Sequence, residues 1–141
     1  MPRIASVGEE FTGSLPLPAE EVARFATLAG DENPIHHDEA HARETRFGGL
    51  IASGTQVVAS FMGLSATHFS RKGAALGLEF AFKLRKAARV GDTLRLRWRV
   101  VRVEPKERLA GEIVYLEGEV LDGAGEVAVT GTATLLVSEA L

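Results

Sequence analysis

From Leu76 to Leu84 the chain reads Leu-Gly-Leu-Glu-Phe-Ala-Phe-Lys-Leu, and this period of two predicts a strand with one buried face. The same period returns at Leu94, Leu96, Trp98 and Val100, which alternate with Arg95, Arg97 and Arg99. Its phase slips where Val101 and Val103 flank Arg102, so a bulge is expected near 100–101. Ile113–Leu121 and Val127–Val137 predict two more strands, joined by the tight turn Asp122-Gly-Ala-Gly125. Upstream the period is helical. Val22, Phe25, Leu28 and Ala29 share one face of a helix predicted over 18–29, with Pro18 at its first position and Glu20 and Glu21 at its positive end. Gly30 offers the stop.

Residues 31–50 hold Asn33-Pro34 and Gly48-Gly49, which predicts loop with one helical turn at 38–44. Ser53 to Phe69 is apolar or small on nearly every face, and a helix so patterned must be surrounded by protein. Gly54, Ala59, Ser60 and Gly63 would let neighbouring backbone approach it closely. The expected order is a short N-terminal segment, a helix, an irregular loop, a buried helix and four long strands. Short turns between consecutive strands imply an antiparallel sheet, and one buried helix against it implies that the sheet curls around that helix. The class is α+β, and a single domain over 1–141 is expected.

Composition narrows the function classes. Nineteen acidic residues against sixteen basic leave a net charge of −3, which argues against nucleic acid as a partner. The absence of cysteine removes disulfides, thiolate metal sites and thiol nucleophiles. The N-terminus lacks the apolar core of a signal peptide, and Gly48–Phe69 is too polar for a membrane span. The expectation is a cytoplasmic protein without a membrane partner.

The candidate chemistry lies in Gly30-Asp31-Glu32-Asn33-Pro34-Ile35-His36. A carboxylate and an imidazole five residues apart in a proline-stiffened loop can reach one water molecule, as a proton-transfer pair does. The same residues also suit a turn in which Asp31 and Asn33 cap backbone amides and His36 is a satisfied polar group. Spacing leaves both open.

A longer pattern bears on the choice. Phe25-Ala-x-Leu-Ala-Gly-Asp-x-Asn-Pro-Ile-His36-x-Asp38, followed by Arg46-Phe-Gly-Gly-Leu-Ile-Ala52-x-Gly54, resembles the hydratase motif of the MaoC-like dehydratases, and within them the (R)-specific enoyl-CoA hydratases. Leu78-Glu-Phe-x-Phe-Lys-Leu84 and Val90-Gly-Asp-Thr93 match the family's strand pattern, so the resemblance spans nearly the whole chain. It implies a hot-dog fold, a long central helix wrapped by a curved antiparallel sheet. It implies syn addition of water to a trans-2-enoyl thioester, giving the (R)-3-hydroxyacyl product, or the reverse, with no cofactor. Asp31 and His36 fall on the family's catalytic pair, His36 as base toward the water and Asp31 as proton donor to the α-carbon. Gly54 falls where the family uses a backbone N–H to hold the thioester oxygen. Asn33, Ser53 and Met62 fall at loop and pocket positions near the substrate, Asn33 shaping the loop. Ser53 stands where many relatives carry His, and Met62 where short-chain hydratases often carry a small polar residue. Acyl-CoA is the implied partner, and a homodimer, or a larger homo-oligomer, is the implied assembly.

Other readings compete. His36, His37, Asp38 and His41 invite a metal, but zinc asks for three converging ligands, and His37 and His41 fit surface positions better. Arg95, Arg97, Arg99 and Arg102 could meet coenzyme A phosphates or form the solvated face of a strand; Lys83, Arg85 and Lys86 are the other cations for that task. A hot-dog thioesterase would need a carboxylate on the central helix, yet no Asp or Glu occurs between Glu44 and Glu79, and Gln56 is the nearest substitute. A non-catalytic acyl-binding module would be expected to lack one of the pair. Trp98 is read as core or interface.

Overall fold

The computed structural model describes residues 4–140. Its elements run β1 (Glu10–Pro16), α1 (Ala19–Leu28), a 3-10 turn (Pro34–His36), α2 (Glu39–Arg43), α3 (Gly54–Ser70), β2 (Ala74–Leu84), β3 (Thr93–Lys106), a second 3-10 turn (Glu107–Leu109), β4 (Gly111–Leu121) and β5 (Val127–Ser138). The strands form one five-stranded antiparallel sheet in the order β1-β3-β4-β5-β2. Its two edges, β1 and β2, both pack on α3. Those edges are four strand spacings apart, about 19 Å along the sheet, whereas a helix is about 10 Å across. One helix can touch both only if the sheet curls. This is the hot-dog arrangement.

The middle of α3 shows how the sheet admits the helix. Phe11, Trp98, Gly118, Gly131 and Phe82 stand side by side across all five strands. Phe61 of α3 stacks on Trp98 at 3.8 Å between ring centres and lies 5.8 Å from Phe82. The glycines are the trough beneath it: a Cβ at Gly118 would lie 2.7 Å from Phe61 Cζ, and one at Gly131 2.6 Å from Phe82 Cδ1. Trp98 Nε1 donates to the Phe61 carbonyl at 2.8 Å, so its one polar atom is satisfied inside the core. Trp98 and Phe61 are both fully buried. A truncation of Phe61 to alanine in such a setting costs about 3 to 5 kcal/mol.

Three expectations need correction. The sheet has a fifth strand, β1, in what reads as an N-terminal segment; Gly13, Ser14 and Pro16 dilute its alternation, and pairing with β3 rather than local pattern makes it a strand. β2 does not keep one buried face. A bulge between Gly77 and Glu79 reverses its phase, so Phe80 and Phe82 turn inward while Leu76 and Leu78 are 49% and 52% exposed. In α1 the buried residues are Val22 and Ala26, and Leu28 at the helix end is 82% exposed. The expected slip in β3 is present between Val100 and Arg102. On the outer face Arg97 pairs with Glu119, and Arg99 with Glu117 at 3.8 Å, so these two arginines of the stripe are charge-compensated. Among the described residues, no helix is long and apolar enough to cross a membrane.

Candidate active site

The loop after α1 is built bond by bond. Gly30 takes a left-handed φ of 76°, Gly30 N donates to Thr27 O at 3.1 Å, and Asp31 N donates to Ala26 O at 2.8 Å. These two bonds are the Schellman closure of a helix, and they place Asp31 at its end. Asp31 Oδ1 then accepts from Asn33 N at 3.1 Å, and Asn33 Oδ1 accepts from Ile35 N at 3.4 Å. Pro34 opens the 3-10 turn that ends at His36, and His37 Nε2 donates to the Asp31 carbonyl at 2.8 Å. The turn-forming alternative therefore holds for Asp31 Oδ1 and for Asn33, while Asp31 Oδ2 is left over for something else.

That oxygen lies 3.1 Å from His36 Nε2. His36 is 5% exposed, and its Nδ1 meets the Ile51 carbonyl at 2.7 Å. A carbonyl can only accept, so Nδ1 carries a hydrogen, and the neutral ring has its lone pair on Nε2. Two acceptors then face each other across 3.1 Å unless one proton lies between them. The arrangement sets a carboxyl group and an imidazole within proton-passing distance, with Asp31 partly open to solvent.

Behind His36 the chain is pinned again. Ile51 N donates to Ile35 O at 3.2 Å, and Ala52 N donates to Ala88 O at 2.8 Å. Ser53 is buried and caps α3, its Oγ accepting from Gln56 N at 3.3 Å. Gly54 opens the helix, where N–H groups have no carbonyl one turn back, and its own N–H meets no acceptor among the described residues. Leu84, at the end of β2, packs on Gly54 so closely that a Cβ there would lie 2.5 Å from Leu84 Cδ1.

His36 and Gly54 line one cavity of about 360 Å³, with Phe47, Val57, Leu84 and Val129 among its apolar walls and Arg46, Arg85 and Lys86 among its polar ones. Asp31 sits beside His36 at 3.1 Å and lines a second hollow with Pro34 and His37. Met62 is half-buried on α3, two turns beyond Gly54, and is not part of this lining. The structure thus brings together Asp31, His36 and Gly54, and shows Asn33 and Ser53 in backbone-capping roles. A larger depression of about 480 Å³, near Lys83, Glu117, Thr130 and Thr132, holds no comparable acid–base pair. Among the described residues no three of His, Asp and Glu converge as metal ligands would. Sequence reasoning missed Leu84 as the cover of Gly54, and Arg46 and Phe47 as wall residues; the Arg46-Phe47-Gly48-Gly49 run was the available signal. Gln56 is buried, with its Oε1 unpartnered.

The fold and site define a hot-dog class in which a buried histidine, paired with a carboxylate, shares a cavity with the start of the central helix. Within that class, the profile of the MaoC like domain matches residues 5–120, and the chain belongs to this family. It is 33% identical over 130 residues to the (R)-specific enoyl-CoA hydratase of Aeromonas caviae, covering 92% of each chain. It is 31% identical over 111 residues to the 3-hydroxybutyryl-CoA dehydratase of Methylorubrum extorquens, covering 73% of this chain and 70% of that one. The solved (R)-hydratase of A. caviae superposes with a TM-score of 0.85 at 29% identity, over 94% of this chain and 97% of that one.

Proposed function

We propose that this chain is a cytoplasmic, cofactor-independent hydratase/dehydratase of trans-2-enoyl-CoA thioesters, forming or consuming the (R)-3-hydroxyacyl-CoA. The family is one of hydro-lyases, and relatives named for enoyl-CoA hydration and 3-hydroxybutyryl-CoA dehydration support a substrate of this kind. The single observation that carries the reading is the His36–Asp31 pair, held at 3.1 Å with the imidazole tautomer set by Ile51.

In the addition direction, His36 Nε2 takes a proton from water as its oxygen attacks the β-carbon. Charge builds on the thioester oxygen, and the Gly54 N–H meets it; such a donor contributes roughly 3 kcal/mol in other enzymes. Asp31 gives its proton to the α-carbon, and the proton on Nε2 then crosses to Asp31 and restores the pair. Both partners lie on one side of the substrate, which makes the addition syn. Leu84, Val57 and Val129 supply the apolar wall for the acyl chain. Asn33 and Ser53 hold the loop and the helix start that meet the substrate, while Met62 lies outside the cavity wall and takes no part in this reading.

The whole chain, 1–141, acts in this reading as one hot-dog unit that pairs with a second copy through β2, whose exposed Leu76 and Leu78 and free edge favour such contact. Thioester hydrolysis is the weaker reading, since α3 carries no carboxylate.

The test is incubation with crotonyl-CoA, following loss of the enoyl-thioester absorbance and the handedness of the product. Turnover to the (R)-alcohol is expected. Absence of turnover with short, medium and branched enoyl-CoA substrates overturns the proposal.

A further inference from the structure

The cations around the cavity differ in what they already hold. Lys86 is engaged: its ammonium pairs with Asp122 at 2.6 Å and with Glu126, and those two carboxylates, Asp122 first, raise its pKa above the ordinary lysine value. Arg89 donates to the Phe47 carbonyl. Arg46 and Arg85 line the cavity, are exposed, and pair with no carboxylate among the described residues. Arg24, Arg43, Arg97, Arg99 and Arg102, by contrast, each sit beside a glutamate. In a chain of net charge −3, two uncompensated guanidiniums at one opening are a local departure.

Both stand on fixed ground. The Arg46 guanidinium lies 5.0 Å from the Phe47 ring centre, and the Phe47 backbone is held by Arg89. Arg85 N donates to Ala128 O at 2.8 Å, and its Nε donates to Thr130 Oγ1 at 3.2 Å, which leaves its terminal nitrogens free. Free guanidinium forks on rigid backbone suit phosphate, whose oxygens they can meet in pairs. The position also suits it: one wall residue comes from the loop before α3 and the other from the corner after β2, and both line the cavity that His36 and Gly54 line.

We propose that Arg46 and Arg85 are the grip for the nucleotide diphosphate of coenzyme A. The inference rests on the hydratase reading, and it assigns carrier recognition to this pair, which lines the cavity of His36 and Gly54, rather than to the arginine stripe of β3, which lies outside that lining and whose Arg97 and Arg99 are matched by Glu119 and Glu117. Lys86 is a structural cation that ties the corner after β2 to the β4–β5 turn.

The experiment compares Arg46→Gln, Arg85→Gln and the double variant on three substrates: crotonyl-CoA, crotonyl-phosphopantetheine, and crotonyl N-acetylcysteamine, which has no phosphate. Arg24→Gln, outside the cavity lining and beside Glu20, controls for net charge. Each single variant is expected to raise KM for the CoA ester roughly tenfold, with kcat within about twofold, as for a partly screened charge-assisted contact. KM for the N-acetylcysteamine ester should stay at the wild-type value. Equal losses on all three esters, or an unchanged KM on crotonyl-CoA, overturn the grip. A loss shared in full by crotonyl-phosphopantetheine overturns its assignment to the nucleotide and points to a phosphopantetheine arm on a carrier protein. If the wild type turns over none of the three, the hydratase reading itself has failed. The grip is then judged by calorimetry with free coenzyme A: affinity lost in the double variant supports it, and unchanged or absent binding overturns it.

Discussion

Asp31→Asn separates the chemical role of the pair from its structural one. The new amide keeps an oxygen to accept from Asn33 N, now 3.1 Å from Asp31 Oδ1. Its NH2 group can donate to His36 Nε2, now 3.1 Å from Asp31 Oδ2. A contact between two acceptors that must share a proton becomes a plain donor–acceptor hydrogen bond. The fold should therefore lose nothing, and stability should stay within about 1 kcal/mol of wild type. Activity should collapse because the amide, unlike the carboxyl it replaces, has no proton to give up to the α-carbon, and so it never leaves the imidazole lone pair that takes the proton from water. Losing a positioned acid or base slows turnover roughly 10²- to 10⁴-fold, or about 3 to 5 kcal/mol in barrier height. Crotonyl-CoA hydration at saturating substrate, beside urea unfolding of the same preparation, measures both quantities. A variant keeping more than about a tenth of wild-type kcat refutes the assignment of Asp31 as proton donor. A variant that is inactive because it is destabilised by several kcal/mol refutes the bonding argument instead.

Three further outcomes are expected. Gly118→Ala puts a Cβ 2.5 Å from Trp98 Cε3 and 2.7 Å from Phe61 Cζ and against the Arg97 carbonyl, so urea unfolding followed by Trp98 fluorescence should show a loss of roughly 2 to 3 kcal/mol; a loss below about 1 kcal/mol would mean that α3 is not seated on the glycine trough. Burial pushes the Glu9 carboxyl up, but hydrogen bonds from Lys72 and His68 outweigh it and hold its pKa below the ordinary 4.5. A depressed folded-state pKa means stabilisation that is complete above 4.5 and lost as pH falls below it, so Glu9→Gln should flatten the acid side of a Tm-against-pH curve, and an unchanged acid slope would exclude Glu9 as its source. Leu78→Lys, on the exposed stretch of β2, should turn a dimer into a folded monomer in sedimentation, and a wild type that is itself monomeric would remove the dimer from the proposal.

The features legible in the sequence were those whose cause is local. Leu94, Leu96, Trp98 and Val100 alternate with arginines, and all four are buried, because a strand in mid-sheet has only two faces and the charged residues take the outer one. The bulge beyond Val100 shows as a break in that alternation. β1 was not legible, since an edge strand of Glu, Thr, Gly, Ser and Pro is defined by the neighbour it pairs with. The phase reversal in β2 was hidden for the opposite reason: Leu76, Leu78, Phe80 and Phe82 keep perfect alternation in sequence while a bulge turns the chain over beneath it. At the candidate site, spacing could bring Asp31 near His36 but could not show which oxygen was free or which imidazole nitrogen bore the hydrogen. Both are settled by Asn33 and by Ile51, partners two and fifteen residues away.

The hydrogen bond from His36 to Ile51 has a mechanical meaning as well. Ile51 is three residues before Gly54, and that short stretch is fastened to Ile35 on one side and Ala88 on the other. The proposed base and the proposed oxyanion donor therefore ride on one strut, and a displacement of either is passed to its mate. Of the walls that would meet the acyl chain, Val57 sits on α3 behind Gly54, while Leu84 and Val129 belong to β2 and β5 and share no segment with that strut. A protein divided this way can exchange substrates by remodelling the wall on β5 while its reactive geometry is carried through unchanged, and a library centred on Val129, with Leu84 left in place over Gly54, would be the economical way to retarget it.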